Sequence, residues 1–276
     1  MSGAIFLGLD LAWSTKNPSG LAALDERGAV LDARADVVAD ADVLAWIRAN
    51  ARATTVLGID MPTIVPNATG ARPCEAELRA VFGRAHAGPH PANRERPDFR
   101  DGGRARRLLD ALEADGFEER LDLGPRERGR FALEVFPHPA HVRLFARETI
   151  FRYKKKQGRS WPEVWAGWAE YRAALDGLAG AEPPLTVPAC IPATVTEKGR
   201  SYKRWEDLLD ALTCAYVAAY VWRWGLAGPY AKVFGNRAEG YIVTPDGPAV
   251  RGAETTRPRE ERSSGERTPQ RRDRSL

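Results

Sequence analysis

Four acidic sites, the last of them a pair, stand in or beside otherwise apolar runs. Asp10 closes Ile5-Phe6-Leu7-Gly8-Leu9-Asp10, and Asp60 follows Val56-Leu57-Gly58-Ile59. Glu134 lies within Phe131-Ala132-Leu133-Glu134-Val135-Phe136, and Asp207 and Asp210 share Asp207-Leu208-Leu209-Asp210-Ala211-Leu212. Burying an unpaired carboxylate costs several kcal/mol unless a cation offsets it. Oxygen donors of this kind suit Mg²⁺ or Mn²⁺. Ions so held can activate a water and stabilise the leaving oxygen of a phosphodiester. The expected metal ligands and catalytic groups are therefore Asp10, Asp60, Glu134, Asp207 and Asp210. The last two, three residues apart at the expected start of a helix, would share one face with Cβ atoms roughly 5–6 Å apart and gain some relief from the helix N-terminus.

Each acid also has a plainer reading. Asp60 before Met61-Pro62 suits a strand-end turn, Asp207 suits the first turn of a helix, and Asp210 suits a solvated helix position. Asp10 and Glu134 would each need a buried basic partner. One fold gathering all of them argues for a site.

The basic and aromatic residues around these acids fit a phosphate-bearing ligand. Arg72 and Arg79 are two helical turns apart and could present guanidinium groups on one face, or bridge to Glu75 and Glu77. Lys154, Lys155 and Lys156 could follow a phosphate backbone or form a solvated loop. Tyr153 beside them could stack on a base, though core packing is favoured. His138 and His141 have the i, i+3 spacing of shared ligands, but no third nitrogen or sulfur ligand is near, which argues against zinc. His138, just after Glu134, is a candidate proton shuttle or phosphate contact, or a helix-start packing residue. The loop carrying His86 and His90 is placed to fold over the site. Cys74 and Cys214 are read as space-filling.

The chain has 276 residues, 43% of them hydrophobic, and eight Trp, enough for one sizeable core. Its net charge of +4 is concentrated at the end: residues 251–276 carry eight Arg against five acids, leaving +1 for the rest. Global charge is thus weak evidence for nucleic acid. Locally, residues 84–107 hold seven Arg against three acids and residues 151–159 hold five basic residues and no acid, making both stretches candidate phosphate-facing surfaces. Three cysteines without a CxxC pair indicate neither a disulfide framework nor a zinc cluster, and a reducing cytoplasm fits. No signal-peptide pattern opens the chain, and the apolar stretch at 205–224 carries Glu206, Asp207, Asp210 and Arg223, which marks a core helix and no membrane partner.

The elements that would position the acids follow in order. Strands at 4–12, 20–25 and 29–37 form an antiparallel meander with a turn at Asp25-Glu26-Arg27-Gly28. A helix at 40–51, with Val43, Leu44, Trp46 and Ile47 on its apolar face, leads to a strand ending at Asp60, and such a crossover implies parallel pairing. The expected fold is α/β with a ribonuclease H-like core: a mixed five-stranded sheet in the order 3-2-1-4-5, flanked by helices. Residues 131–136 supply the fifth strand, and the stretch 62–130 is a long insertion between strands four and five with helices near 73–82 and 104–115. Further helices are expected at 138–147, 161–179 and 204–224, the last stopping at Gly225, with short strands near 230–234 and 240–243. The domain is expected to span 1–245, and 246–276 to form a disordered Arg-rich tail.

The ordered runs Gly8-Leu9-Asp10-Leu11-Ala12-Trp13, Gly58-Ile59-Asp60-Met61-Pro62, Arg72-Pro73-Cys74-Glu75 with Leu78-Arg79, Glu134-Val135-Phe136-Pro137-His138-Pro139-Ala140, Tyr153-Lys154-Lys155-Lys156 and Asp207-Leu208-Leu209-Asp210-Ala211-Leu212 resemble the bacterial and archaeal family catalogued as domain of unknown function 429. That family is described as predicted ribonuclease H-like nucleases. The resemblance covers roughly residues 4–245. The Asp-x-x-Asp-Ala-Leu helix also resembles the metal-binding helix of Holliday-junction resolvases. These resemblances imply that Asp10 and Asp60 bind metal, that Asp207 or Asp210 completes the site, and that Glu134 is a further ligand or a base. Resolvases usually have Glu at the end of strand four, where this chain has Asp60, which leaves the number of ions open.

The leading expectation is a metal-dependent nuclease acting on DNA or RNA. An actin-like phosphotransferase or ATPase would share the core, but neither a duplicated meander nor a glycine-rich phosphate loop is found. A non-catalytic module binding nucleic acid or a protein partner is the alternative from a different class. The Trp-rich segment at 161–168 either packs internally or mediates a homodimer.

Overall fold

The computed structural model describes residues 3–251. Strands β1 (Ile5–Asp10), β2 (Ser19–Asp25) and β3 (Val30–Val37) form the expected antiparallel meander. Helix α1 (Asp40–Asn50) buries Val43, Trp46 and Ile47 and carries the chain across to β4 (Thr55–Ile59), which runs parallel to β1. Helices α2 (Pro73–Phe82) and α3 (Arg104–Glu113) follow, then the two-residue strand β5 (Phe117–Glu118) and β6 (Arg130–Glu134), parallel to β4. Helices α4 (Pro137–Leu144) and α5 (Trp161–Asp176) precede the short β7 (Ala181–Glu182) and the 26-residue helix α6 (Gly199–Trp224). The described residues close with the hairpin β8 (Ala231–Asn236) and β9 (Gly240–Pro245), and with β10 (Val250–Arg251), which pairs with β7.

The main sheet is mixed and six-stranded, in the order β3-β2-β1-β4-β6-β5, where five strands in the order 3-2-1-4-5 were expected. The difference comes from β5, inside the expected insertion, which adds a new edge beyond β6. Two residues are too few to show a strand period in sequence.

Both faces of this sheet are covered. Period-two alternation turns Ile5, Leu7 and Leu9 of β1 and Leu57 and Ile59 of β4 toward α1 and α3. Phe6, Val56, Phe131 and Leu133 turn the other way, into the larger core shared with α4, α5 and α6. From Glu206 to Trp222 every residue of α6 is buried. The helix lies directly on the strands because β1, β2 and β4 lack side chains there, at Gly8, Gly20 and Gly58. A Cβ at Gly8 would fall 2.0 Å from the Ala211 carbonyl oxygen, and one at Gly20 would fall 2.1 Å from that of Asp207. Gly20 is the register partner of Asp10, so the same close approach sets Asp207 beside Asp10.

The last helix begins earlier than expected, at Gly199, which puts Asp207 and Asp210 more than two turns inside it. The relief expected from a helix N-terminus is therefore absent, since it fades beyond the first turn. The domain also continues past 245: Asp246 N–H donates to the Tyr230 carbonyl, Ala249 N–H to that of Leu144, and β10 follows. The rest of the expected tail, 252–276, lies outside the described residues. Among the described residues no helix is long and apolar enough to cross a membrane.

Candidate functional site

Asp10 ends β1 and Asp60 follows β4, so the two carboxylates project from adjacent parallel strand ends on the α6 face. They line a cleft of about 380 Å³ together with Trp13, Glu134, His138 and Lys154. Beneath them, Asp207 lies beside Asp10, where α6 packs against Gly20, the register partner of Asp10. Burial, reinforced by the charge of Asp210, raises the Asp10 carboxyl well above its usual range. Burial likewise pushes Asp60 up to about 7, with Lys154 opposing the rise. Asp207 is raised mainly by burial, with the Lys203 ammonium opposing. Among the described residues, the carboxylates of Asp10 and Asp60 have neither a hydrogen-bond donor nor an ion-pair partner.

The other two aspartates are partnered. Asp210 accepts from the Tyr153 hydroxyl at 2.5 Å and lies 2.7 Å from the Lys154 ammonium. Asp207 is bonded by the Lys203 ammonium, which also reaches Glu206 at 2.8 Å. Lys203 is one turn ahead of Asp207 because α6 starts early, and sequence reading missed it for that reason.

Glu134 departs from the expected ligand set. Its neighbours Phe131, Leu133 and Val135 join the α6 core while Ala132 joins the α1 core, so alternation turns Glu134 away from the face that carries Asp10 and Asp60. There it is gripped by Arg72, whose Nη1 and Nη2 donate to its two oxygens at 2.9 and 2.5 Å, and by the Thr63 N–H at 2.8 Å. Burial raises its carboxyl while Arg72 pulls it back. With both oxygens bonded, Glu134 is a structural anchor of the cleft wall and neither a free ligand nor a free base.

Arg72 is correspondingly unable to present itself to phosphate. Its Nε donates to Glu75 at 2.9 Å and its Nη1 to the Ile64 carbonyl at 3.0 Å, with about 1% of the side chain exposed. Burial alone would lower its basicity, and Glu134 more than reverses that. Arg79 is exposed and donates to the Pro89 carbonyl at 2.7 Å, so the two arginines do not form the paired surface their spacing allowed. Within the basic stretch 84–107, Arg104 is likewise buried, bonding Asp40, the Ala12 and Val38 carbonyls and Ser19 Oγ. It fixes the loop that leaves Asp10.

Of the lysine run, Lys154 faces the acids, Lys156 lines the cleft, and Lys155 folds back onto the Arg159 carbonyl and the Trp161 ring. Lys155 is therefore not gathered with the other site residues. Tyr153 is fully buried, as core packing required. His138 lines the cleft with Nε2 unpartnered, and burial, with Lys154 nearby, keeps its ring uncharged at neutral pH. His141 is buried in an aromatic cage, 4.3 Å from Tyr171 between ring centres, with both nitrogens unpartnered, and burial pushes it down to about 3.

Among the described residues no three His, Cys, Asp or Glu side chains are gathered closely enough to hold a metal as they stand. The donor chemistry nonetheless fits a hard cation: two half-buried carboxylates outside any ion pair at one cleft, with Asp207 adjoining.

The molecule is thus an α/β protein with an acid-lined cleft at the ends of its two central parallel strands. The chain belongs to the family described as Protein of unknown function (DUF429), whose model matches residues 8–236. No curated protein and no solved structure matches it.

Proposed function

We propose that this chain is a divalent-metal-dependent nuclease of ribonuclease H-like design, hydrolysing phosphodiester bonds of DNA or RNA. The observation that carries the proposal is the pair Asp10 and Asp60, neighbours on parallel strand ends, half-buried, outside any ion pair and open to a cleft. Binding Mg²⁺ or Mn²⁺ would offset their charge, with Asp207, engaged by Lys203, adjoining Asp10 from α6. The metal would supply Lewis-acid activation of water and of the scissile phosphate. The chain's own residues do the rest. Lys154 places a positive charge beside the carboxylates, where a phosphate's charge must be accommodated. His138, uncharged, offers an unpartnered Nε2 to a water or a leaving hydroxyl. Arg72 and Glu134 brace the wall between β6 and α2.

One observation favours a second reading, a non-catalytic nucleic-acid or partner-binding module. Asp207 and Asp210 already have ammonium partners, so part of the acid cluster is neutral without a metal.

Incubation of the full chain with labelled single-stranded, duplex and branched DNA and RNA, with Mn²⁺ and with a chelator, separates the readings. Cleavage that needs the metal and is lost in Asp10→Asn supports the nuclease. Metal-independent binding without cleavage, retained in Asp10→Asn, supports the module.

A further inference from the structure

We propose that the Lys154 ammonium takes the place of a second metal ion, so that the acid site binds one divalent cation per chain, held by Asp10 and Asp60. The inference rests on the metal-dependent reading above and fixes its stoichiometry and the role of Lys154.

Both oxygens of Asp210 are committed to one loop dipeptide. Oδ1 takes the Tyr153 hydroxyl at 2.5 Å and Oδ2 faces the Lys154 ammonium at 2.7 Å, and the Asp210 side chain is fully buried. The dipeptide is itself pinned to α6, because the Tyr202 hydroxyl donates to the Tyr153 carbonyl and Tyr153 has no exposed surface. Lys154 is therefore aimed at the acids by the pinned Tyr153 before it, while the Arg159 guanidinium donates to the Lys154 carbonyl at 2.6 Å. About a quarter of its side chain remains exposed, on the cleft.

Asp207 is likewise engaged by Lys203, which leaves Asp10 and Asp60 as the carboxylates of the cluster outside any ion pair. Two catalytic ions lie about 3.5–4 Å apart and share carboxylates. A second ion placed to use Asp210 would meet the Lys154 ammonium at contact distance, and like charges that close repel strongly even at an effective dielectric constant of about 20. A flexible ammonium is a compact point charge, well suited to stand in for a cation. Lys154 is thus a positioning residue that keeps Asp210 turned away from the metal and leaves a positive charge beside the reacting phosphate.

The test is calorimetric titration of Mn²⁺ into the full-length wild type, Lys154→Met and Lys154→Arg. The expected result is one ion per chain for the wild type and Lys154→Arg. For Lys154→Met it is two, with the first bound about tenfold more tightly once the nearby charge is gone. One ion in both the wild type and Lys154→Met overturns the role of Lys154. Two ions in the wild type overturn the inference and leave a metal-dependent enzyme standing. No binding in the wild type removes the metal-dependent reading itself. If Lys154→Met does not fold, spin resonance of the Mn²⁺-saturated wild type decides: the pattern of an isolated ion supports the inference, and that of an exchange-coupled pair overturns it.

Discussion

Arg72→Met should expose how much of the cleft wall rests on a single guanidinium. Arg72 joins two buried acids, Glu75 at 2.9 Å and Glu134 at 2.5 and 2.9 Å, with only 1–3% of the three side chains exposed. Methionine fills similar space but leaves both carboxylates without a cation. Removing one partner of a buried ion pair costs about 3–5 kcal/mol. In a domain of this size 1 kcal/mol moves the midpoint by about 2–4 °C, so Tm should fall by roughly 6–20 °C. The loss should depend on pH. Without Arg72, burial and the charge of Glu75 act on Glu134 against only the Thr63 N–H and lift its folded pKa further above the unfolded value of about 4.3. The folded variant then holds a proton that the unfolded chain releases, so its deficit shrinks as pH falls from neutrality toward about 5. Arg72→Met with Glu134→Gln should recover part of the loss, because the stranded charge is gone. Urea denaturation of the four proteins of this cycle at two pH values measures each term. A loss below about 1 kcal/mol at neutral pH, or a deficit that grows on acidification, would refute the account of the Arg72 ion pairs.

Three further outcomes follow from the packing and the charges. Asp60, pushed up to about 7 in the fold, should destabilise the metal-free protein progressively as pH rises from about 4 to 7; Asp60→Asn should therefore be more stable than wild type by about 2–4 kcal/mol at pH 8 and no more stable near pH 4, read from denaturant melts in chelator. His141, held at about 3, stays neutral in the fold while the unfolded chain gains a proton below about 6.5, so wild-type stability drains away as pH falls; His141→Phe should gain about 2–3 kcal/mol over wild type near pH 4.5 relative to their difference at pH 8, and a constant difference would contradict this. Gly8→Ala puts a methyl group 2.0 Å from the Ala211 carbonyl oxygen, so it should push α6 off the sheet and cost about 1–3 kcal/mol or more, visible in Tm.

Several parts of this architecture were legible in the chain. The meander, the α1 crossover and hence the pairing of Asp10 with Asp60 follow from strand periods, a Gly turn and one amphipathic helix. The face of Glu134 was not legible, because Phe131, Ala132, Leu133 and Val135 are apolar on both sides and a doubly covered strand carries no alternating signal. Arg72 and Arg104 were read as surface residues because arginine is almost never fully buried unless paired, and their partners are 62 and 64 residues away in sequence. Helix α6 begins at a glycine without a side-chain cap, so nothing marked its first turn and the Lys203 to Asp207 pair stayed hidden. Lys154 did carry a signal: acids buried beside it needed a cation, and the basic loop after α4 was one of few sources.

The central claim, that Asp10 and Asp60 form a cation site, is tested most directly by Mn²⁺ affinity of wild type, Asp10→Asn and Asp60→Asn under one buffer condition, with circular dichroism to verify folding. The account predicts saturable binding to the wild type, a loss of at least about tenfold in affinity for each variant, and folds that are intact or more stable. Equal affinity in all three proteins, or variants that unfold, would contradict it.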